Sequence, residues 1–141
     1  MSDGSISSPR WTAGAVFRGA FVGAAAGAVA NVALYLLAPL AGVSLLARFR
    51  PDAPPQSLLF VAVVLASLVP ALPAALAALL LGRVTRDPAR AFAALAAVFG
   101  LLSMGGPMNL AEASLGLKVL LAVMHVVSGV GITAGVLRSA R

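Results

Sequence analysis

The stretch that decides the fold is residues 19–35, which read GAFVGAAAGAVANVALY. One set of residues recurs along it at every fourth position: Gly19, Gly23, Gly27, Asn31 and Tyr35. Positions four apart share a face of a helix, so this set predicts a smooth stripe that becomes polar at one end. The remaining residues are almost all apolar, which is typical of a membrane span, because a chain this short cannot bury such a helix in a soluble core.

The spacing of the glycines predicts a close helix–helix contact. Lipid gives no hydrophobic drive for helices to associate, and small residues let two backbones approach each other. We therefore expect Gly19, Gly23 and Gly27 to pack against another helix as a glycine zipper, and Gly129 to have the same role in the last span.

The composition makes the lipid bilayer the expected partner of the whole chain. Of 141 residues, 61% are hydrophobic and 10% are charged, and the mean hydropathy is +1.04, whereas soluble domains carry roughly 25% charged residues. The net charge of +6 is better explained by basic residues facing anionic headgroups than by nucleic acid, because no basic runs with interspersed aromatic residues occur. The absence of cysteine excludes disulfides and thiolate metal sites.

Four apolar runs predict an all-α integral membrane four-helix bundle with up-down-up-down topology. We expect residues 1–15 to form a disordered or interfacial N-terminal tail and residues 16–138 to form one transmembrane domain. The predicted spans comprise approximately residues 16–38, 57–82, 88–104 and 114–137. A cleaved signal sequence is the alternative for the first run, because residues 28–30 resemble a small-residue cleavage site.

Prolines and glycines mark the interruptions of the spans. Pro70 and Pro73 predict a kink in the second span, since each removes a backbone donor. Asp87 and Pro88 predict the N-cap and first position of the third span. We expect residues 105–107, Gly-Gly-Pro, to end that span.

Arginine and lysine predict the orientation. In this topology seven of these residues fall at the end that holds both termini and three at the other end. Basic residues accumulate on the cytoplasmic side, so both termini should be cytoplasmic in a bacterial inner membrane.

Polar residues inside spans are costly and are therefore the candidates for function. The candidate ligand-binding residues are Asn31, Tyr35, Ser67, Ser103 and His125. Asn31, Ser67 and His125 lie at similar depth, roughly 12 to 15 Å from one membrane face at 1.5 Å per residue, so they could converge on one site. The kinks in the second span could widen a cavity beside it. Ser128 and Thr133 receive no role, because such hydroxyls can bond to their own helix.

Three hypotheses account for His125, the only histidine. It could be a structural hydrogen-bonding residue between helices, with Asn31 the first candidate partner and Ser67 the second. It could instead be a ligand or proton site. It could also bind haem, with a methionine or the His125 of a second copy as the other ligand.

The sequence predicts no catalytic residues, no metal site and no cofactor. Every acidic residue falls in a tail or connection: Asp3, Asp52, Asp87 and Glu112. A serine–histidine–acid arrangement would need an acid at depth, and metal sites need three or four ligands.

Five short motifs resemble an uncharacterised family of small four-helix bacterial membrane proteins. They are Ala30-Asn31-Val32 with Tyr35, Val69-Pro70-Ala71, Leu102-Ser103 followed by Pro107, Met124-His125, and the basic end after Leu137. The resemblance extends from about residue 17 to residue 138 and implies the four-helix architecture. That family has no assigned activity, so the resemblance implies none here.

These observations favour a non-enzymatic bundle that binds a small apolar or amphipathic ligand or acts as a subunit of a larger membrane assembly. The alternative is a small transporter or channel that works as a homo-oligomer, because four spans often need a second copy to enclose a path. A haem-binding redox protein is the third hypothesis.

Overall fold

The computed structural model describes residues 11–139, so most of the predicted N-terminal tail lies outside the described residues. Four helices are long and apolar enough to cross a membrane: Ala13–Leu37, Phe60–Val84, Pro88–Met108 and Leu115–Arg138. The all-α, four-span prediction is therefore confirmed. The chain is a multi-pass membrane protein by the length and composition of these helices.

Two of the four spans are interrupted, so we number six helices. They are α1 (Ala13–Leu37), α2 (Phe60–Leu68), α3 (Ala71–Val84), α4 (Pro88–Ser103), α5 (Gly105–Met108) and α6 (Leu115–Arg138). The connection between α1 and α2 contains a 3-10 helix and two short antiparallel strands: Pro39–Ala41, β1 (Leu46–Ala47) and β2 (Gln56–Ser57).

Side-chain caps fix where three of the helices begin: Thr12 caps α1, Asp87 caps α4 and Ser114 caps α6. Thr12 accepts a hydrogen bond from Ala15 N, so α1 starts at Ala13, three residues earlier than expected. Asp87 accepts from the backbone N–H of Arg90 at 3.1 Å and Pro88 occupies the first helical position, which confirms the predicted start of α4. These caps satisfy backbone donors that have no partner inside the helix.

Proline has different effects in the second and third spans. Pro70 has no N–H to donate to the carbonyl of Ala66, and α2 and α3 separate at this point. The third span, in contrast, continues past Met104 as α5, so the prediction that residues 105–107 end it was wrong. Pro107 fits there because it occupies the first turn of α5, where an N–H would have no partner within the helix.

The helices follow one another around a ring. α1 packs along α6 and against α2 and α3, while α4 packs against α3 and α6 and lies diagonally opposite α1. We call the end of the bundle where α1 begins and α6 ends the termini end. The core there is built largely from alanine on α1 and α3, with Phe92 of α4. Small residues there allow the helices to approach closely.

The opposite end, which we call the hairpin end, is closed by the two longer connections. Arg48 pairs through its backbone with Ala111. Its guanidinium bonds to a carboxylate oxygen of Glu112, with Nε at 2.8 Å, and to the carbonyl of Ala53 at 2.7 Å. The strand pair and this ion pair tie the first connection to the segment before α6.

Candidate functional site between the helices

The seam between α1 and α6 is an antiparallel contact of glycine backbones. A Cβ atom on Gly19 would overlap the carbonyl oxygen of Gly135, and one on Gly23 would overlap that of Gly131. A Cβ on Gly27 would lie 3.3 Å from Ser128 Cα. At Gly19 and Gly23 only a residue without a side chain permits this approach, and the register places Asn31 opposite the next turn of α6.

Gly129 does not take part in this seam. No atom lies within 4 Å of the position that its Cβ would occupy, so its predicted role in helix packing was wrong. Gly131 and Gly135 contact α1 instead. They are four residues apart, as the glycines of α1 are, and Gly131 follows Ser128 by three residues, so the three residues share one face of α6.

A buried polar cluster terminates the glycine seam. The amide nitrogen of Asn31 lies 2.8 Å from Ser128 Oγ, 3.0 Å from Ser67 Oγ and 3.1 Å from the carbonyl oxygen of Met124. Ser67 in turn donates to the carbonyl of Val63 at 2.8 Å. Asn31 thus joins α1 to α2 and α6, and it is only 2% exposed.

The orientation of the Asn31 amide follows from its partners. The carbonyl oxygen of Met124 can only accept, so the group facing it must be the NH₂. The side-chain oxygen of Asn31 is left buried with no hydrogen-bond partner within residues 11–139. That unpaired oxygen offsets part of the stabilisation that the amide nitrogen provides.

A cavity of about 430 Å³ lies beside this cluster, between the second span, α4 and α6. Its wall is mostly apolar, and none of the lining residues is charged. The polar side chains on the wall are Asn31, Ser67, Ser103, His125, Ser128 and Thr133. Pro70 also lines it, and α4 packs against α3 but not closely against α2. The space therefore opens where the helix break lets α2 and α4 diverge.

The structure places four of the five candidate ligand-binding residues on this wall: Asn31, Ser67, Ser103 and His125. Tyr35 does not line the cavity. Its hydroxyl donates to the carbonyl of Leu58 at 3.1 Å, and its ring packs edge-on against Phe60. Tyr35 therefore ties the end of α1 to the beginning of α2.

His125 has a different partner from the one we expected. Its Nδ1 lies 2.9 Å from the carbonyl oxygen of Leu121, one turn back on its own helix, and the side chain is exposed. The predicted bond to Asn31 or Ser67 was wrong, and Ser128, for which no role was predicted, contacts Asn31 instead. His125 and Gly129 share a stripe of α6 that is turned about 100° from Met124 and Ser128, because each residue advances a helix by that angle.

The sequence model of a family of unknown function, DUF6069, matches residues 11–141. The chain belongs to this family. No curated protein and no solved structure matches the chain. Membership of DUF6069 confirms the resemblance to an uncharacterised family that the short motifs indicated, and it assigns no activity.

The chemistry available to this DUF6069 chain at the cavity is hydrogen bonding on an apolar surface. Within residues 11–139, no group of three or more histidine or acidic side chains is placed to hold a metal ion. The imidazole, the hydroxyls and the amide can position a small molecule through a few polar contacts. Such an arrangement of apolar walls with few polar groups is typical of ligand pockets.

Proposed function

We propose that this DUF6069 protein is a non-catalytic membrane bundle that binds one small apolar or amphipathic molecule in the cavity between the second span, α4 and α6. The observation that supports this proposal is the cavity itself, with about 430 Å³ of space. Ligand sites commonly enclose roughly 300 to 1,000 Å³ and combine apolar walls with a small number of polar groups.

Access to the cavity favours a ligand that is dissolved in the bilayer. Ala66, Phe99 and His125 line the cavity and are also exposed on the flank of the bundle. The surrounding exposed side chains of α2 and α4 are apolar, including Val61, Leu65 and Val98. A molecule in the lipid can therefore reach the cavity sideways without passing through water.

The proposed setting is a bacterial inner membrane, with both termini in the cytoplasm. Arg83, Arg86 and Arg90 lie around the turn between α3 and α4, at the same end as Arg18 and Arg138, which supports that orientation. The third span is the least buried of the four, because only 11% of an 18-residue apolar stretch within it is buried inside the bundle. It is therefore the span through which a second copy or another membrane subunit would pack.

A cavity-filling substitution tests ligand binding. Gly129 lines the cavity and has open space at its Cβ position, so Gly129→Leu places a side chain into the cavity without a backbone clash. We expect wild type in nanodiscs to bind 4-hexylphenol in calorimetric titrations, and Gly129→Leu to lose at least about tenfold in affinity, or roughly 1.4 kcal/mol.

Gly14→Leu is the matched control, because Gly14 also has open space at its Cβ position but lies outside the cavity. It should bind as wild type does, after subtraction of partitioning into empty nanodiscs. Equal binding by all three proteins would contradict the proposal. A Soret band in the purified protein, or solute flux in liposomes, would support the haem or transport hypothesis instead.

A further inference from the structure

The groups near His125 that remain free to form hydrogen bonds are acceptors. The carbonyl of Leu121 can only accept, so the Nδ1 that lies 2.9 Å from it must carry the proton. In the neutral ring, Nε2 then retains its lone pair. No hydrogen bond to Nε2 occurs within residues 11–139, so this nitrogen is an acceptor without a donor, and it belongs to a residue that lines the cavity.

Ser103 and Ala66 add further acceptors to the wall. The Ser103 hydroxyl donates its hydrogen to the carbonyl of Gly100 at 2.7 Å, which leaves the lone pairs of its oxygen. The carbonyl of Ala66 would bond to the N–H of residue 70 in an uninterrupted helix, but residue 70 is proline. Both residues line the cavity.

The wall holds few free hydrogen-bond donors. Ser67 uses its hydroxyl hydrogen on Val63. Ser128 is buried and accepts from the amide of Asn31. Thr133 is eight residues farther along α6, which is roughly 12 Å at 1.5 Å per residue. No charged side chain lines the cavity, so an anionic or cationic head would lose its hydration without compensation.

We infer that the cavity selects neutral amphiphiles whose head is a hydroxyl group, an alcohol or a phenol, over ethers, quinones and carboxylates of similar shape. The hydroxyl donates to His125 Nε2, and the apolar body lies against the wall formed by α2 and α4. This inference rests on the proposed function, because it names the class of ligand that the same cavity accepts.

Two probes with the same hexylphenyl body test the inference: 4-hexylphenol, which carries a donor, and 4-hexylanisole, its methyl ether, which does not. Both probes are titrated into nanodiscs in the same buffer. We expect wild type to bind the phenol roughly three- to tenfold more tightly than the ether, the effect of one net hydrogen bond. Affinities are corrected with the filled-cavity variant Gly129→Leu, which removes the contribution of partitioning.

Substitutions of His125 locate the head of the ligand. His125→Phe removes the acceptor and keeps a ring, so it should abolish the preference for the phenol over the ether. His125→Gln retains an acceptor and should keep part of the preference. Both variants are expected to fold, because the only hydrogen bond of the His125 side chain within residues 11–139 is to its own helix, and thermal unfolding in detergent checks this.

The outcomes separate the inference from the proposed function. Equal binding of phenol and ether by wild type would overturn the inference and leave cavity binding intact. A phenol preference that survives in His125→Phe would also overturn it. If neither probe binds, the proposed function itself fails. In wild type with ¹⁵N-labelled histidine, the Nε2 resonance of the single imidazole should shift with the phenol and not with the ether.

Discussion

At the scale of single residues, Asn31 is the most consequential polar side chain of the spans. It contacts acceptors on two other helices through one NH₂ group. An amide has only two hydrogens for these three acceptors, so at least one contact is shared or weak. Leaving the Asn31 amide unpaired in the low-dielectric bundle would nevertheless cost free energy. The contacts of the amide therefore fix the rotation of α1 about its axis.

Replacing Asn31 should destabilise the bundle moderately. Hydrogen bonds between membrane helices contribute about 0.6 kcal/mol each on average. Asn31→Ala should therefore lower the free energy of unfolding by about 1 to 2 kcal/mol, with the loss of the unpaired side-chain oxygen offsetting part of the cost. Denaturant titration in mixed micelles measures this quantity.

Asn109→Ala is the control for this measurement. The Asn109 side chain is exposed and donates to the carbonyl of Gly105 in its own segment. Its removal should change the free energy of unfolding by less than about 0.5 kcal/mol. If Asn31→Ala and Asn109→Ala unfold alike, the buried cluster does not stabilise the association of the helices.

At the scale of elements, the contact between α1 and α6 organises the bundle. Glycine carbonyls of one helix occupy the space that a side chain on the other would need. Lipid-facing and bundle-facing residues are equally apolar here, so shape rather than polarity decides which faces meet. The break between α2 and α3 is the second decisive feature, because Pro70 at the break lines the cavity.

The same substitution at three glycines should give three different results. Gly23→Ala should cost about 1 to 3 kcal/mol, because the obstructing atom is the backbone carbonyl of Gly131, which cannot rotate away. Gly27→Ala should cost less, since its Cβ would be 3.3 Å from Ser128 Cα. Gly129→Ala should be neutral or stabilise by up to about 1 kcal/mol through helix propensity.

Unfolding in detergent, followed by circular dichroism, gives this ranking directly. Gly129→Ala serves as the internal control, because Gly129 lies inside α6 as Gly131 does but has no neighbour at its Cβ position. Identical stabilities for Gly23→Ala and Gly129→Ala would show that the close approach of α1 and α6 does not stabilise the bundle.

At the scale of the whole molecule, charge is distributed unequally between the two ends. The hairpin end holds Arg48, Arg50 and Lys118, and two of these pair with acids: Arg48 with Glu112 and Arg50 with Asp52. The termini end holds five arginines among the described residues. Membrane insertion responds to the count of basic residues rather than to net charge, so this asymmetry favours cytoplasmic termini.

Labelling of introduced cysteines tests the orientation on a background that has no native cysteine. Ser44→Cys, in the exposed connection at the hairpin end, should react with a membrane-impermeant maleimide in intact spheroplasts. Ser139→Cys, at the termini end, should react only after lysis. The reverse pattern would contradict cytoplasmic termini, and labelling of both sites in spheroplasts would point to mixed insertion.

The sequence by itself determined the number of membrane spans, their apolar character and several of their boundaries. Long apolar runs predict spans because a bilayer requires about 20 residues per helix. Asp87 with Pro88 determined the start of α4 through local backbone chemistry. The four-residue spacing of glycine and asparagine on α1 was likewise visible, since helical periodicity is a property of one segment.

Only the tertiary structure decided which face of α6 meets α1. A helix that is apolar all round carries no amphipathic pattern to set its rotation, so Ser128 and Gly131 could not be told from His125 and Gly129 by polarity. A turn of about 100° exchanges the two stripes. Backbone packing across the seam selects Ser128 for the amide of Asn31 and leaves His125 on the cavity wall.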